Sequence, residues 1–188
     1  MPRAGTLVAV VGSSGSGKDS LIAFAREALA GDADFLFPRR VITRALEPAE
    51  QHIPIPVEEF FRRRDSGHFI LHWEAHGLCY GILRDIESEL SRGHNVIVNL
   101  SRGVIGRMRQ VFPFSAVIQI TASPETLARR LAGRGREAVV DQVARLARTL
   151  PVAADATIAN DGRLEDAGRA FVMALRRVTA RNAMMLGL

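Results

Sequence analysis

A short apolar, β-branched run, TLVAVV at residues 6–11, passes directly into Gly12, Ser13, Ser14, Gly15, Ser16, Gly17, Lys18 and Asp19, and then into the helical pattern LIAFAREALA. A buried strand, a glycine-rich loop and a helix in that order leave little freedom in the fold. The spacing G-x-x-x-x-G-K is that of a phosphate-binding loop, in which backbone N–H groups and the helix N-terminus converge on a concavity that favours phosphate. Lys18 is then placed to reach the transferring phosphates of ATP, and Gly15 and Gly17 allow the backbone turns. The bland alternative is a flexible serine-glycine turn, and the flanking strand and helix count against it. Asp19 stands where Ser or Thr is expected. Its carboxylate can ligate magnesium directly, act through water, or leave that role to Ser20. A harsher alternative is that the added negative charge ends catalysis and leaves a module that only binds nucleotide.

The basic residues sharpen the first reading, because the chain carries 25 of them, and 24 are Arg while the single lysine is Lys18. An ammonium is therefore wanted at that one place, whereas most arginines need no special explanation. With 188 residues, 47% of them apolar, we expect one domain over residues 1–188 with a single substantial core. No apolar run approaches membrane-spanning length, and the N-terminal residues lack a cleavage-site pattern. The single Cys79 allows no internal disulfide. We expect a cytoplasmic protein, with no membrane and no nucleic-acid partner. The formal charge of +5 suits any polyanion, including a multiply phosphorylated substrate, and does not choose among them. The run Arg62 to Arg64 lacks interleaved aromatics and reads as a solvated helix face.

Further apolar runs, NVIVNL, AVIQIT and ATIA, alternate with amphipathic stretches at about 82–92, 103–111 and 124–131. This is an α/β pattern: a parallel β-sheet flanked by helices, as in the P-loop kinase fold. Between about 35 and 81 the pattern breaks into FLFPRRVIT, HIPI and HFILHW around a small helix, VEEFFRRR, which we read as a β-rich insertion carrying an acceptor site. Residues 124–150 read as two helices joined by an Arg- and Gly-rich turn, a hairpin able to close as a lid. A C-terminal helix is expected over 164–181, with NAMMLGL loosely held.

With these parts in place, nearly the whole chain resembles the guanylate kinase fold family. VITR, with Thr43 and Arg44, resembles its acceptor-phosphate segment; His52 falls where the family has a substrate-contacting Tyr; HWEAHGLCYG resembles its aromatic segment and ends in Tyr80 and Gly81. LARRLAGRGRE resembles its lid, Arg145 matches a later lid arginine, and ANDG, with Asn160, resembles the adenine-side loop. Two departures stand out. Where that family reads guanine with carboxylates, Leu71 and Ser101 look like the corresponding residues, and Arg40 replaces a small hydroxyl residue. A buried site that lacks those carboxylates discriminates against guanine. GKDSL, RRVITR, EQHI, AHGLCYGI and VNLSRG together resemble the ribose 1,5-bisphosphate phosphokinases of bacterial phosphonate degradation. That resemblance implies transfer of the ATP γ-phosphoryl group to the 1-phosphate of ribose 1,5-bisphosphate, giving 5-phosphoribosyl 1-diphosphate and ADP.

On this reading Lys18 and the loop bind ATP, Asp19 or Ser20 meets magnesium, and Arg40, Arg44, His52 and Tyr80 bind a small phosphosugar. Arg130, Arg134, Arg136 and Arg145 are candidates for the transferring phosphoryl group. His72, Phe69 and Trp73 read as structural. The rival readings are a guanylate or other nucleoside monophosphate kinase, a carbohydrate hydroxyl kinase with Asp85 as base, and a catalytically silent binding module. Oligomeric state is not legible.

Overall fold

The computed structural model describes residues 4–45, 52–132 and 152–185. Strand β1 (Leu7–Gly12) lies at the centre of a five-stranded parallel sheet with β2 (Phe35–Leu36), β7 (Asn95–Asn99), β8 (Ser115–Thr121) and β9 (Ala156–Ala159), in the order β2-β7-β1-β8-β9. Because successive side chains of a strand point to opposite faces, the unbroken apolar run of β1 divides between two cores. Val8 and Val10 join Leu21, Ile22 and Ala25 of α1 (Lys18–Ala28) and Phe171, Ala174 and Leu175 of α6 (Leu164–Met185). Leu7, Ala9 and Val11 join Ile86 and Leu90 of α3 (Ile86–Ser91) and Ile105 and Met108 of α4 (Ile105–Val111). The sheet is thus covered on both faces, as expected.

A second sheet has the order β4-β3-β6-β5, from β3 (Arg40–Ile42), β4 (His52–Pro54), β5 (Phe69–Ala75) and β6 (Leu78–Leu83). The pair β3 and β4 is parallel, and the other pairs are antiparallel. Helix α2 (Val57–Asp65) packs on it through Phe60, whose ring stacks on Phe69 at 4.8 Å between centroids. Phe69 in turn lies flat over Gly81, where a Cβ would come within 2.6 Å of the ring. The β5–β6 hairpin turns on His76 and Gly77, both with positive φ (54° and 72°), the backbone of a tight two-residue connection. Phe69 is therefore a packing residue, as its sequence context implied.

Three details differ from the sequence reading. Phe35–Leu36, expected in the insertion, pairs with Asn95 and Val96 and closes the edge of the large sheet, so the second sheet begins at Arg40. Ile82 and Leu83, expected to open a helix, extend β6, because Leu83 pairs with Phe69 and Ile82 with Leu71; α3 starts only at Ile86. The C-terminal helix continues through Met185, past the point where the chain was expected to loosen. Of the expected lid hairpin, α5 (Pro124–Ala132) is described, and the turn at 133–136 with the second helix lies outside the described residues.

Phe171 is fully buried between α1, α6 and the sheet. Phe171→Ala is expected to lower the free energy of unfolding by about 3–5 kcal/mol. Urea unfolding checks this as a fall in midpoint at unchanged m-value.

Candidate active site

The loop after β1 winds through two left-handed glycines, Gly15 (φ 83°) and Gly17 (φ 88°), and Gly17 caps α1. Gly12 lies so close to β8 that a Cβ would come within 2.4 Å of the Ile120 carbonyl oxygen. Ser13 and Ser14 form the outer bend, and Ser16 is buried at its base. Lys18 crosses the loop, its Nζ donating to the carbonyls of Gly12 (2.8 Å) and Ser13 (2.9 Å). The cation thus stands over the concavity that the backbone N–H groups shape.

Asn160, expected on the adenine side, lies against the phosphate loop. It is 2% exposed beneath the loop, and its Nδ2 donates to the Ser16 carbonyl at 2.8 Å. The contact is tight: a Cβ on Gly17 would meet that Nδ2 at 2.3 Å. Arg130, on α5, approaches from the other side, with Nη1 at 3.4 Å from the carbonyls of both Gly15 and Ser16. Its helix is anchored to the loop after β9 by Asp161, whose Oδ1 accepts the Ser123 N–H at 2.6 Å. That backbone bond, together with the Ser123 hydroxyl, holds the Asp161 carboxyl below its ordinary range. Arg134, Arg136 and Arg145 lie outside the described residues.

Asp19 opens the first turn of α1, and its side chain is 83% exposed. Its Oδ1 accepts from Asn99 Nδ2 at 2.8 Å and lies 3.9 Å from Nη2 of Arg40. Ser20 is exposed beside it. Arg40 also sits over the Tyr80 ring at 5.7 Å, and Tyr80 stacks on Trp73 at 5.2 Å with planes 6° apart. One continuous path therefore joins the phosphate loop to the second sheet through a carboxylate, a guanidinium and two stacked rings. Arg44 borders a groove of about 380 Å³ with Thr43, Pro54, Ile55 and Val57. Thr43 is held at both ends, its N–H donating to the Cys79 carbonyl and its Oγ1 accepting the Cys79 N–H. His52 is only 3% exposed, with Nε2 at 3.1 Å from the Arg44 carbonyl, so it braces the arginine's backbone from below. Leu71 is fully buried in the core under β5.

Two residues at the carboxyl end of β7 were not singled out from the sequence. Asn99, which orients Asp19, shows in the sequence only as a polar residue near the end of the apolar run NVIVNL. Arg102, in the 3-10 turn Arg102–Val104 after β7, was lost among the other arginines.

Together these elements define a P-loop kinase: a lysine-bearing phosphate loop, an arginine-bearing helix against it, and a second sheet whose Arg40 reaches Asp19 at the carboxyl ends of the parallel strands. The chain is similar in fold to the guanylate kinase of Anaplasma phagocytophilum (TM-score 0.68, 20% identity, covering 94% of this chain and 87% of that one). It is also similar to a gluconokinase of Sinorhizobium meliloti (TM-score 0.56, 20% identity, covering 97% and 98%). In sequence it is 49% identical over 178 residues to "Ribose 1,5-bisphosphate phosphokinase PhnN" of Acidiphilium cryptum, covering 94% of this chain and 96% of the relative. The protein of the same name in Methylobacterium radiotolerans is 44% identical over 172 residues, covering 92% and 98%. No family model matches. The chain belongs to the ribose 1,5-bisphosphate phosphokinase family.

Asn160→Ala removes the donor to the Ser16 carbonyl and opens space beneath Gly17. The Ser16 carbonyl would keep only the longer bond from Arg130, and losing the short buried donor costs about 1 kcal/mol. Nucleotide binding measured by calorimetry is expected to weaken about tenfold, with a lowered Tm, while the KM of the phosphosugar stays near that of the wild type.

Proposed function

We propose that this protein transfers the γ-phosphoryl group of ATP to the 1-phosphate of ribose 1,5-bisphosphate, giving 5-phosphoribosyl 1-diphosphate and ADP. The observation that carries this reading is the composition of the acceptor side. Arg40 stands 3.9 Å from Asp19 at the junction of the two sheets, and Leu71, on β5 across β6 from it, is sealed in the core. A guanine base presents N–H donors that need acceptors; here a cation stands at the surface, and Leu71, turned into the core, offers no acceptor. Phosphate groups are what a guanidinium at such a place holds best.

The chemistry needs little beyond placement. A sugar phosphate has a second pKa near ~6, so at neutral pH its oxygen is already the dianionic nucleophile and no general base is required. That oxygen attacks the γ-phosphorus; the bond to the β,γ-bridging oxygen breaks, its electron pair leaves with ADP, and a diphosphate linkage results. Lys18 and the loop amides hold the ATP phosphates. Arg44, positioned by His52 and Thr43, and Arg40 hold the acceptor. Arg130 lies against the loop, where charge builds during transfer, and we assign Arg134, Arg136 and Arg145 to the same closing lid. Asp19 and Ser20 offer exposed oxygen donors suited to magnesium, and Asn99 orients the carboxylate. When bound, the ion supplies charge neutralisation on the phosphates. Asn160 contributes to nucleotide binding through the loop it supports, and Tyr80 contributes through Arg40.

Among the described residues no helix is long and apolar enough to cross a membrane. We place the reaction in the cytoplasm, where ATP and sugar phosphates are found, with a small phosphosugar as partner and no role for nucleic acid. The phosphonate-degradation setting that the family resemblance implies belongs to the same proposal.

ADP release with Mg-ATP, measured in parallel on ribose 1,5-bisphosphate, ribose 5-phosphate, GMP and gluconate, tests the assignment. Turnover is expected on ribose 1,5-bisphosphate, with the diphosphate identified by mass, and Lys18→Ala is expected to lower kcat by about 10²–10³-fold or more. Preferential use of GMP would return the chain to nucleotide substrates, and silence on all four would leave a binding module. Leu71→Glu places an unpaired carboxylate in a sealed core; it is expected to destabilise the protein by about 3–5 kcal/mol in urea unfolding and to bring no GMP turnover.

A further inference from the structure

An arginine taken out of water needs a counter-charge or hydrogen-bond acceptors, because desolvating a guanidinium is costly and its proton is not lost. Among the described residues, the arginines with no hydrogen-bond, ion-pair or ring partner are Arg39, Arg102, Arg107, Arg129 and Arg177. Four of them are exposed and need none. Arg102 alone of these five is half-buried, and burial holds its guanidinium below the usual arginine value, with no carboxylate among the described residues to offset it.

Its place in the fold says what kind of partner is missing. Arg102 follows β7 at the carboxyl end of the sheet, three residues after Asn99, the donor to Asp19. The Leu100 N–H donates to the Val10 carbonyl at 3.1 Å, keeping the chain beside β1 to the edge of the phosphate loop, and the Val104 N–H closes the turn on Ser101. The turn then packs against β5, with Val104 in the same core as Leu71. Arg102 therefore stands where the parallel strands meet the acceptor sheet. On neighbouring β5, His72 lies below the ordinary imidazole value through burial and then through the positive charges of Arg107 and Arg64, with Glu74 acting in the opposite direction. An anion fits here, and among the described residues none pairs with Arg102.

We propose that Arg102 is the specificity-determining residue that holds the non-reacting 5-phosphate of the bisphosphate acceptor, while Arg44 and Arg40 hold the 1-phosphate that attacks. This rests on the functional assignment above and deepens it. The acceptor carries two dianionic groups, and the first is served by the arginines of β3 and the residues just after it. The second needs a cation on the opposite wall, and the turn after β7 supplies a planar guanidinium able to bind two phosphate oxygens at once. Leu71, sealed beneath the same wall, leaves that cation without a competing carboxylate.

The test compares wild type, Arg102→Ala and Arg102→Lys in the KM for ribose 1,5-bisphosphate, the Kd for ribose 5-phosphate, which keeps the 5-phosphate and lacks the reacting one, and the KM for ATP. The alanine variant is expected to raise the first two by about 10- to 100-fold, the loss of one charged hydrogen-bonding partner, at unchanged KM for ATP and unchanged Tm. The lysine variant should recover part of the loss. Unchanged constants for both sugar phosphates in either variant, or a loss confined to ATP, would overturn the role. If the alanine variant does not fold, the lysine variant decides: weaker ribose 5-phosphate binding at wild-type Tm supports the role, and wild-type binding rejects it. Should wild type itself fail to turn over ribose 1,5-bisphosphate, the functional assignment falls and this role with it; turnover by wild type with indifferent variants removes Arg102 alone.

Discussion

The phosphate loop can do its work only if its backbone is held in one shape, and the contact that holds it is the bond from Asn160 to the carbonyl of Ser16. That carbonyl sits between two left-handed glycines, in a segment whose amides must all turn toward the same anion. A loop of this kind is strained toward collapse, because its N–H groups repel one another and its glycines have much conformational freedom to lose. The buried amide of Asn160 counters this from below, and Gly12 seats the loop against the Ile120 carbonyl of β8. Both supports come from strands that lie beyond β1 on the same side of the sheet, β8 and the end of β9. The order of the parallel strands is therefore a condition of the site: with β8 and β9 elsewhere, the loop would lose its floor.

A second consequence follows from Asp19. In the usual loop a hydroxyl stands there, small and neutral; here a carboxylate reaches out of α1 and meets Asn99 on one side and Arg40 on the other. The pair with Arg40 is long and its carboxylate is well exposed, so its worth as a stabilising ion pair is small. Its significance is positional. It lies where the phosphate loop and the second sheet, which on the proposed function hold donor and acceptor, come together, and the flat stack of Tyr80 on Trp73 limits where the Arg40 guanidinium can go. Two highly charged phosphates have to be brought into line against their mutual repulsion, and a cation already fixed between them is the means by which positioning lowers that barrier.

The large sheet was legible in the sequence because its strands are buried on both faces and read as unbroken apolar runs, with NVIVNL, AVIQIT and ATIA each falling on a strand. The glycine-rich loop and Lys18 were legible for the same kind of local reason. What failed locally was decided by pairing. Nothing in Ile82 and Leu83 distinguishes the end of a hairpin strand from the start of an amphipathic helix until Phe69 and Leu71 are opposite them, and Phe35–Leu36 belongs to the large sheet only because Asn95 and Val96 are free to accept it. Site roles that act across the chain were the least legible. Asn160 was placed beside the nucleotide by its motif, yet its side chain turns under the loop, 144 residues earlier in the chain. His52 was expected to face substrate and instead braces Arg44. In a chain with 24 arginines, Arg102 stands out only through its burial.

The change in substrate within this fold is then a change in what the acceptor wall does with polarity. A wall that reads a base must keep carboxylates ionised and partly dry, which is costly unless the ligand supplies the matching N–H groups. Here the wall is split into two simpler parts. Leu71 goes wholly into the core, where it adds to packing with Ile70, Ile82 and Val104 and faces no ligand. On the proposed assignment the polar work passes to guanidinium groups, Arg40, Arg44 and Arg102, which stay charged at any physiological pH and need only anions. Such a wall is selective by charge count more than by shape: an acceptor with one phosphate leaves a half-buried cation unmatched, and an acceptor with two satisfies both ends. The same arithmetic explains why no acid or base need be found near the acceptor, since a group that arrives already dianionic asks the protein for counter-charge and alignment alone.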